Sequence, residues 1–417
     1  MTEPDFATRD DTWWRERRAE RLARDVVATD TCLFRPDQLL LSDAAAALVA
    51  DELEQLNGRP DDGNEALAAV GLQHWRVPGR EDLPEQALRL RAVAEARRDD
   101  REGESDLVVS LNHVLTGQPK WAGGPATHPV ATKDSRPESR GSAGRPPDIT
   151  VLDTGYDHSV RAVHPGMAAA LRPDPSDVDA LRAPGTTELL GEAGHGTFII
   201  GLVLLMAPDL AVDPGRVLDP DGVCDDVQLC QELLEARHSS PVINMSLGGY
   251  TFDDAPPPGA SRMIERLMPD RVIVAAAGNH GSTRPFWPAA LKHVVAVAAI
   301  DDPAAPTPPA WTNRGPWVDV CTQGVDLVST YVEGVYPTGP TTSEDFTRHA
   351  WARWSGTSFA APLVAAELAR RVVEGRAQGQ PVSADQARRD LLASLSPVPG
   401  HPELGLLYEP PVDPRRP

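Results

Sequence analysis

Apolar and polar positions change rhythm twice along this chain, and each change marks a different kind of structure. As far as about residue 116, short apolar runs alternate with stretches in which leucine and alanine recur every three or four places, the spacing of an amphipathic helix. The elements read there are a charged helix from Asp10 to Val27, with Trp13, Trp14 and Leu22 as its apolar contacts, and a strand at Gln38 to Leu41. A helix follows from Asp43 to Leu56, then a strand near Val70 to Val77, a helix from Asp82 to Arg97 and a strand at Leu107 to Leu111. This alternation predicts a small α/β unit over 1–116, of about 100 residues, with its first helix as a docking arm. From Gly117 to Pro147 little is apolar and Gly, Pro, Ser and Arg dominate. That stretch, 117–147, reads as an exposed linker open to cutting.

From Asp148 the texture changes again. Ile149 to Leu152 reads as a strand ending at Asp153, and Val242 to Met245, Val272 to Ala276 and Val294 to Ala298 read as apolar runs of strand length, as expected for parallel strands covered on both faces. Between them lie an apolar helix from His195 to Met206 and a helix from Asp225 to Arg237. The polar landmarks stand at the strand ends: Asp153 follows the first run, Ser246-Leu247-Gly248 the second and Asn279 the third. Open α/β sheets bind ligands beyond the carboxyl ends of their strands, so these residues are expected to share one crevice. The second unit is therefore an α/β domain with a mainly parallel central sheet over 148–397, followed by a Pro-rich tail over 398–417.

Composition narrows the partners. Of 417 residues, 41% are hydrophobic, enough for a sizeable core. The net charge of -21 has the sign of nucleic acid and of anionic membranes, which argues against both as partners. Prolines number 41, about twice ordinary usage, and stiffen the connections. The four cysteines, Cys32, Cys224, Cys230 and Cys321, show no C-x-x-C spacing, so neither a disulfide scaffold nor a zinc site is indicated. Met1 to Arg24 lacks the apolar core of a signal peptide and no run reaches membrane-spanning length. The expected location is the cytoplasm, unless translation starts elsewhere or export takes an unusual route.

Candidate chemistry centres on Ser355-Gly356-Thr357-Ser358-Phe359-Ala360-Ala361-Pro362. Thr357 is placed to cap the helix that follows, and Ser358 falls in its first turn, where free backbone N–H groups and the dipole favour negative charge. Alone, the stretch reads equally as a capped core helix or as the seat of a nucleophile. Asp153 alone suits a turn after a strand, His195 a capping or core position, and Asn279 a Gly-Asn turn. Together they are more specific. A serine hydroxyl is a weak nucleophile and needs a base within reach and a third group to orient that base, and Asp153-Thr154-Gly155, Gly194-His195-Gly196-Thr197, Ala277-Gly278-Asn279 and Gly356-Thr357-Ser358 supply those parts in sequence. His158, His164, His280 and His349 lack such context and read as packing or surface residues, and Glu192 reads as a solvated loop carboxylate.

These four motifs, in this order, resemble those of the subtilisin-like serine peptidases, or subtilases, over about 148–397. The resemblance implies the subtilisin-like three-layer fold and serine endopeptidase activity. It implies that Ser358 attacks, His195 acts as base and then acid, Asp153 orients His195, and Asn279 donates to the oxyanion with the Ser358 backbone N–H. It also implies a polypeptide substrate bound as an extended strand along Ser246, Leu247 and Gly248, with Asp221 to Val223 as the opposite rim. Ala276, Ala277 and Gly278 would line the primary pocket, its floor near Phe286 to Ala290. Asn112-His113-Val114, ahead of the linker, resembles the end of a subtilase propeptide. This implies that the amino-terminal unit is a partner of the cleft, covering it until a cut between Val114 and Pro147; the alternative is a permanent regulatory or partner-docking domain.

The chain departs from the family pattern at Phe198, where many relatives carry a second histidine, at Trp311-Thr312-Asn313 and at Gln323-Gly324. No cofactor is expected. Calcium is compatible with the family, but Asp157, Asp253 and Asp254 lack the spacing that would commit them to it. Sedolisins, which share Gly-Thr-Ser, use other acids in place of the histidine found here. The competing functions are a catalytically restrained or partner-activated peptide-binding subtilase, a dedicated processing peptidase, and an esterase, against which stands the missing Gly-x-Ser-x-Gly elbow.

Overall fold

The computed structural model describes residues 25–78, 81–98, 107–117, 128–135, 145–182, 186, 188–219, 221–339 and 341–416. The helix expected from Asp10 falls mostly outside them, and its last expected residue instead belongs to a strand, β1 (Val27–Ala28). β1 pairs antiparallel with β2 (Leu33–Ser42). After β2 come α1 (Asp43–Leu48) and α2 (Ala50–Gln55), broken at Val49 where one helix was expected, then β3 (Arg59–Pro60) and α3 (Glu65–Ala69). β4 (Leu72–Arg76), α4 (Leu83–Arg97) and β5 (Val109–Thr116) complete the unit. Asn64 Oδ1 caps α3 by accepting from Leu67 N, a helix too short for periodicity to reveal.

The alternation of β2 explains how this unit sits. The sheet order is β3-β4-β2-β5, so β2 is central. Leu39 and Leu41 join Leu53, Leu83 and Leu90 in a core beneath the unit's own helices. Leu40, on the opposite face, packs with residues of the second unit such as Leu229, Leu233 and Met263. A strand with period-two side chains is buried on both sides in this way only if a second body covers its far face.

In the second unit, β6 (Val130–Ala131) precedes β7 (Ile149–Leu152), α5 (His195–Met206), β8 (Val212–Asp213), β9 (Val223–Asp225), α6 (Asp226–Ala236) and β10 (Val242–Met245). Then follow α7 (Pro258–Leu267), β11 (Val272–Ala276), β12 (Val294–Ile300), β13 (Val320–Gln323), β14 (Leu327–Thr330), β15 (Val335–Pro337) and β16 (Ser343–Asp345). The chain ends with β17 (Trp351–Trp354), α8 (Thr357–Ala377), α9 (Ala384–Ser394), β18 (Ser396–Pro397) and β19 (Leu406–Leu407). The main sheet runs β18-β19-β13-β12-β11-β10-β7-β8 and is parallel throughout except for β18.

Three layers result. Val242, Val272, Val274, Val295 and Val297 face α5 and α8, while Ile243, Met245, Ile273, Ala275 and Ala296 face α6 and α7. Alternate residues of each strand thus serve opposite helix layers, which is why the strands read as unbroken apolar runs. α8 is the buried centre: residues Thr357 through Ala369 are all buried.

Part of the stretch expected to be an exposed linker, and part of the Pro-rich tail, join sheets. Val130–Ala131 pairs with Arg353 and Ala352 of β17, and β19 adds a parallel strand beside β13. The backbone pairing offered by exposed sheet edges accounts for both. Among the described residues no helix is long and apolar enough to cross a membrane. All four cysteines are buried and free.

Candidate active site

Asp153 follows the last residue of β7 and His195 opens α5, so a strand end and a helix start meet. Asp153 Oδ1 accepts from His195 Nδ1 at 2.7 Å and from Thr154 N at 2.8 Å. Both side chains are wholly buried. A carboxylate only accepts, so the proton of a neutral His195 belongs on Nδ1 and the lone pair on Nε2, which has no hydrogen-bond partner in the structure. Burial disfavours the charged imidazolium, but Asp153, Glu192 and Asp179 outweigh it and raise the basicity of His195. Behind the ring stand Trp354 and Phe359, with centroids 5.6 and 5.4 Å away. Phe198 packs against both, 5.6 Å from Trp354 and 4.6 Å from Phe359.

Asp179 was not singled out by the sequence, yet it locks these two loops together. Its Oδ2 accepts from Gly194 N at 2.8 Å and from Thr154 Oγ1 at 3.0 Å. Thr154 Oγ1 in turn accepts from Gly196 N at 3.0 Å. Burial, the largest influence, pushes the Asp179 carboxyl up to about 7. Glu192, read as a solvated loop residue, is buried, with 2% of its surface exposed, because the chain around Gly222 closes over it.

Ser358 lies in the first turn of α8, as expected, but Thr357 is not its cap. The cap position is Gly356, with no side-chain bond. The acceptor comes instead from another strand end: Asn279 Oδ1 accepts from Thr357 N at 2.8 Å and from Thr357 Oγ1 at 2.9 Å. Thr357 Oγ1 also accepts from Gly278 N at 3.0 Å. With its oxygen anchored on Thr357, the Asn279 side chain has only its NH2 group left to offer the crevice. Asn313 braces the same loop, accepting from His280 N and Ser282 N and donating to the Ala277 carbonyl at 2.8 Å.

Ser358 Oγ donates to the Ser246 carbonyl at 3.4 Å, and no hydrogen bond joins it to His195. The Ser246 hydroxyl donates to the Ser358 carbonyl at 2.7 Å, which ties the end of β10 to the helix start. Leu247 turns its side chain into the core and presents only backbone to the crevice. Ala276 and Ala277 are buried, and Gly278 takes a φ of 98° that a side chain would strain.

The crevice holds a strand of the protein itself. Beyond the first unit's sheet, β5 continues as the partner of β9, with Val114, Leu115 and Thr116 opposite Asp225, Cys224 and Val223. On its other side Thr116 N donates to the Gly248 carbonyl at 2.8 Å, and Gly248 N to the Thr116 carbonyl at 2.9 Å. Gly117 N donates to the Gly222 carbonyl at 3.0 Å, and a side chain grown from Gly117 would start 3.9 Å from His195 Cε1.

The carboxylates considered for calcium are engaged elsewhere. Asp157 accepts from Ser159 N and Oγ, Asp253 pairs with Arg91, and Asp254 pairs with Arg284. Among the described residues no cluster of three His, Cys, Asp or Glu side chains is arranged to hold a metal ion.

The doubly covered parallel sheet thus carries a histidine–carboxylate pair, a helix-start serine and an anchored asparagine at its strand and helix ends. The model of the subtilase family matches residues 144–392, more than half of the chain, and the chain belongs to that family. It is 31% identical over 255 residues to the thermophilic serine proteinase of Bacillus sp. (strain AK1), covering 57% of this chain and 54% of that protein. It is 28% identical over 240 residues to thermitase of Thermoactinomyces vulgaris, covering 55% of this chain and 75% of that one. The chain thus spans only about half the length of the first of these relatives. In fold it is similar to fervidolysin from Fervidobacterium pennivorans, described as a keratinolytic enzyme related to subtilisin: the TM-score is 0.60 at 17% identity, over 92% of this chain and 61% of that one.

Proposed function

We propose that the chain is a serine endopeptidase that takes polypeptide as an extended strand. Ser358 Oγ attacks the scissile carbonyl carbon while His195 Nε2 takes the hydroxyl proton, and Asp153 stabilises the imidazolium that forms. The oxyanion receives N–H groups from the Asn279 side chain and the Ser358 backbone. Collapse breaks the C–N bond, His195 returns the proton to the leaving amine, and the acyl group stays on Ser358. Water, deprotonated by the same nitrogen, then releases the acid and restores the serine.

The observation that carries this reading is the 2.7 Å bond from His195 to Asp153, both wholly buried, in a chain whose Ser358 and Asn279 are tied to each other through Thr357. A fluorophosphonate probe is expected to label the wild type and not Ser358→Ala, and casein hydrolysis to vanish with the label. Labelling of Ser358→Ala would overturn the reading. Labelling without peptide cleavage would favour an esterase.

The strand Val114 to Gly117 supports a second layer to this reading, in which the resting chain is restrained by its own amino-terminal unit. It occupies the rims proposed for substrate, Gly222–Val223 on one side and Gly248 on the other. A polypeptide bound in this manner gains affinity from main-chain bonds. Release then follows a cut between Val114 and Pro147, or displacement by a partner. Sequencing the amino terminus of active protein tests the cut; a full-length chain with undiminished activity would argue for the permanent domain.

A further inference from the structure

We infer that Phe286 fills the primary pocket of this chain and restricts the residue before the scissile bond to glycine, alanine or serine. The inference rests on the peptidase reading above and names the substrate class of that same site.

The primary pocket proposed beside Ser358 and Asn279 has as its walls Ser246–Gly248, after β10, and Ala276–Gly278, at the end of β11. A substrate side chain entering next to the attacked carbonyl has to pass between them. The Phe286 ring is already there. A Cβ built on Gly248 would stand 2.3 Å from Phe286 Cε1 and 2.8 Å from Cδ1. One built on Gly278 would stand 3.0 Å from both Cδ1 and Cγ. The ring edge is therefore against the glycine of each wall, and the ring is itself only 2% exposed.

The ring is not free to swing out. Its neighbour Trp287 exchanges two backbone hydrogen bonds with Gly249, at 2.9 and 2.8 Å, which pins the segment to one wall. Tyr250 packs edge-on against Phe286 with centroids 5.2 Å apart, and His280 lies 5.8 Å away. Tyr250 is held in its turn by Asn313 Nδ2 at 3.0 Å and by the Arg284 guanidinium 4.8 Å above its ring. A recess of about 300 Å³ remains next to the ring, lined by Gly248, Tyr250, His280, Arg284 and Phe286 and roofed by the Thr29–Cys32 turn. None of Ala276, Ala277 or Gly278 lines it, so it does not extend between the walls. A methyl or hydroxymethyl group fits above a filled slot. A leucine, methionine or phenylalanine side chain does not.

The experiment is a peptide-library digestion read by mass spectrometry, with the full chain as purified, with the full chain carrying Thr116→Pro to loosen the strand in the cleft, and with Phe286→Ala and Phe286→Leu made in both. The wild type is expected to yield new carboxyl ends of Gly, Ala and Ser. Phe286→Ala is expected to raise kcat/KM for Phe, Leu or Met at that position relative to Ala by at least about tenfold, the smallest step that hydrophobic pockets give per group, with Phe286→Leu intermediate. Fluorophosphonate labelling reports whether each variant keeps its folded site. Wild-type ends dominated by large apolar or charged residues would overturn the inference, even if neither variant folds. So would a labelled Phe286→Ala with an unchanged profile. Loss of all Ser358-dependent labelling and cleavage in the wild type would instead sink the peptidase reading, and this inference with it.

Discussion

Replacing Thr357 by valine puts the anchor of the proposed oxyanion donor to the test. The hydroxyl accepts from Gly278 N at 3.0 Å and donates to Asn279 Oδ1 at 2.9 Å, and all three residues are buried. A methyl in its place does neither. Leaving the Gly278 N–H unpaired costs about 1–3 kcal/mol, a fall in Tm of roughly 2–12 °C for a domain of this size. The methyl also needs about 3.5 Å from its neighbours, so the Asn279 amide has to move by roughly half an ångström. Complete loss of such a donor costs about 10²–10³ in turnover, a range taken from a subtilisin, a member of this family. A displaced donor should cost less, about 10–100-fold in kcat, with KM little changed because the backbone at Gly222 and Gly248, proposed to hold substrate, is untouched. The assay is kcat and KM on a peptide substrate with Tm by calorimetry, for Thr357→Val, Thr357→Ser, Asn279→Ala and the Thr357→Val/Asn279→Ala double variant. Serine should restore turnover, and valine should add little once Asn279 is gone. A valine variant with lowered Tm and unchanged kcat would refute the role assigned to Thr357.

Two other outcomes follow from the junction between the units. His113, buried against Phe252 and accepting from Phe252 N at 3.3 Å, is pushed down to about 4 by burial, with Asp253 favouring its charge and Arg91 opposing it. The unfolded chain, with an ordinary histidine near 6.5, binds the proton more readily, so stability falls as pH drops below about 6.5 and levels off near 4, by about 3 kcal/mol. Between pH 7 and 4.5, denaturant titrations should show wild type losing more stability than His113→Leu, and parallel losses would contradict this. Thr116→Pro removes the N–H that bonds the Gly248 carbonyl at 2.8 Å. One such bond is worth about 1 kcal/mol, so casein hydrolysis by the full-length chain should rise about fivefold, and an unchanged rate with an intact amino terminus would argue against a blocking strand.

The structure reproduces several elements of the sequence reading to the residue, and the reason is local. Val242–Met245 and Val272–Ala276 are strands, and His195–Met206 is a helix, because each is a predominantly apolar segment bounded by polar or small residues. Elements whose order depends on a distant partner were hidden. β5 runs on to Thr116 because β9 and Gly248 pair with its far end, and Val130–Ala131 and Leu406–Leu407 become strands only against β17 and β13. α3 escaped notice because five residues carry too little periodicity.

The sequence alone determined which side chains stand at the strand and helix ends, and nucleophilic chemistry admits so few residue types that Asp153, His195, Asn279 and Ser358 could be proposed as a set. What surrounds them was decided in three dimensions. Asp179, Glu192, Asn313 and Phe286 carry no pattern, since a carboxylate bridging two loops and a ring lying between two glycines have no sequence spacing of their own. Thr357 shows the difference most directly: local logic made it a helix cap, whereas the parallel register of β10 and β11 beneath α8 brings Asn279 Oδ1 to its backbone N–H and turns its hydroxyl into a brace for Asn279. A hydrogen bond between residues far apart in the chain exists only once the sheet between them has closed the loop.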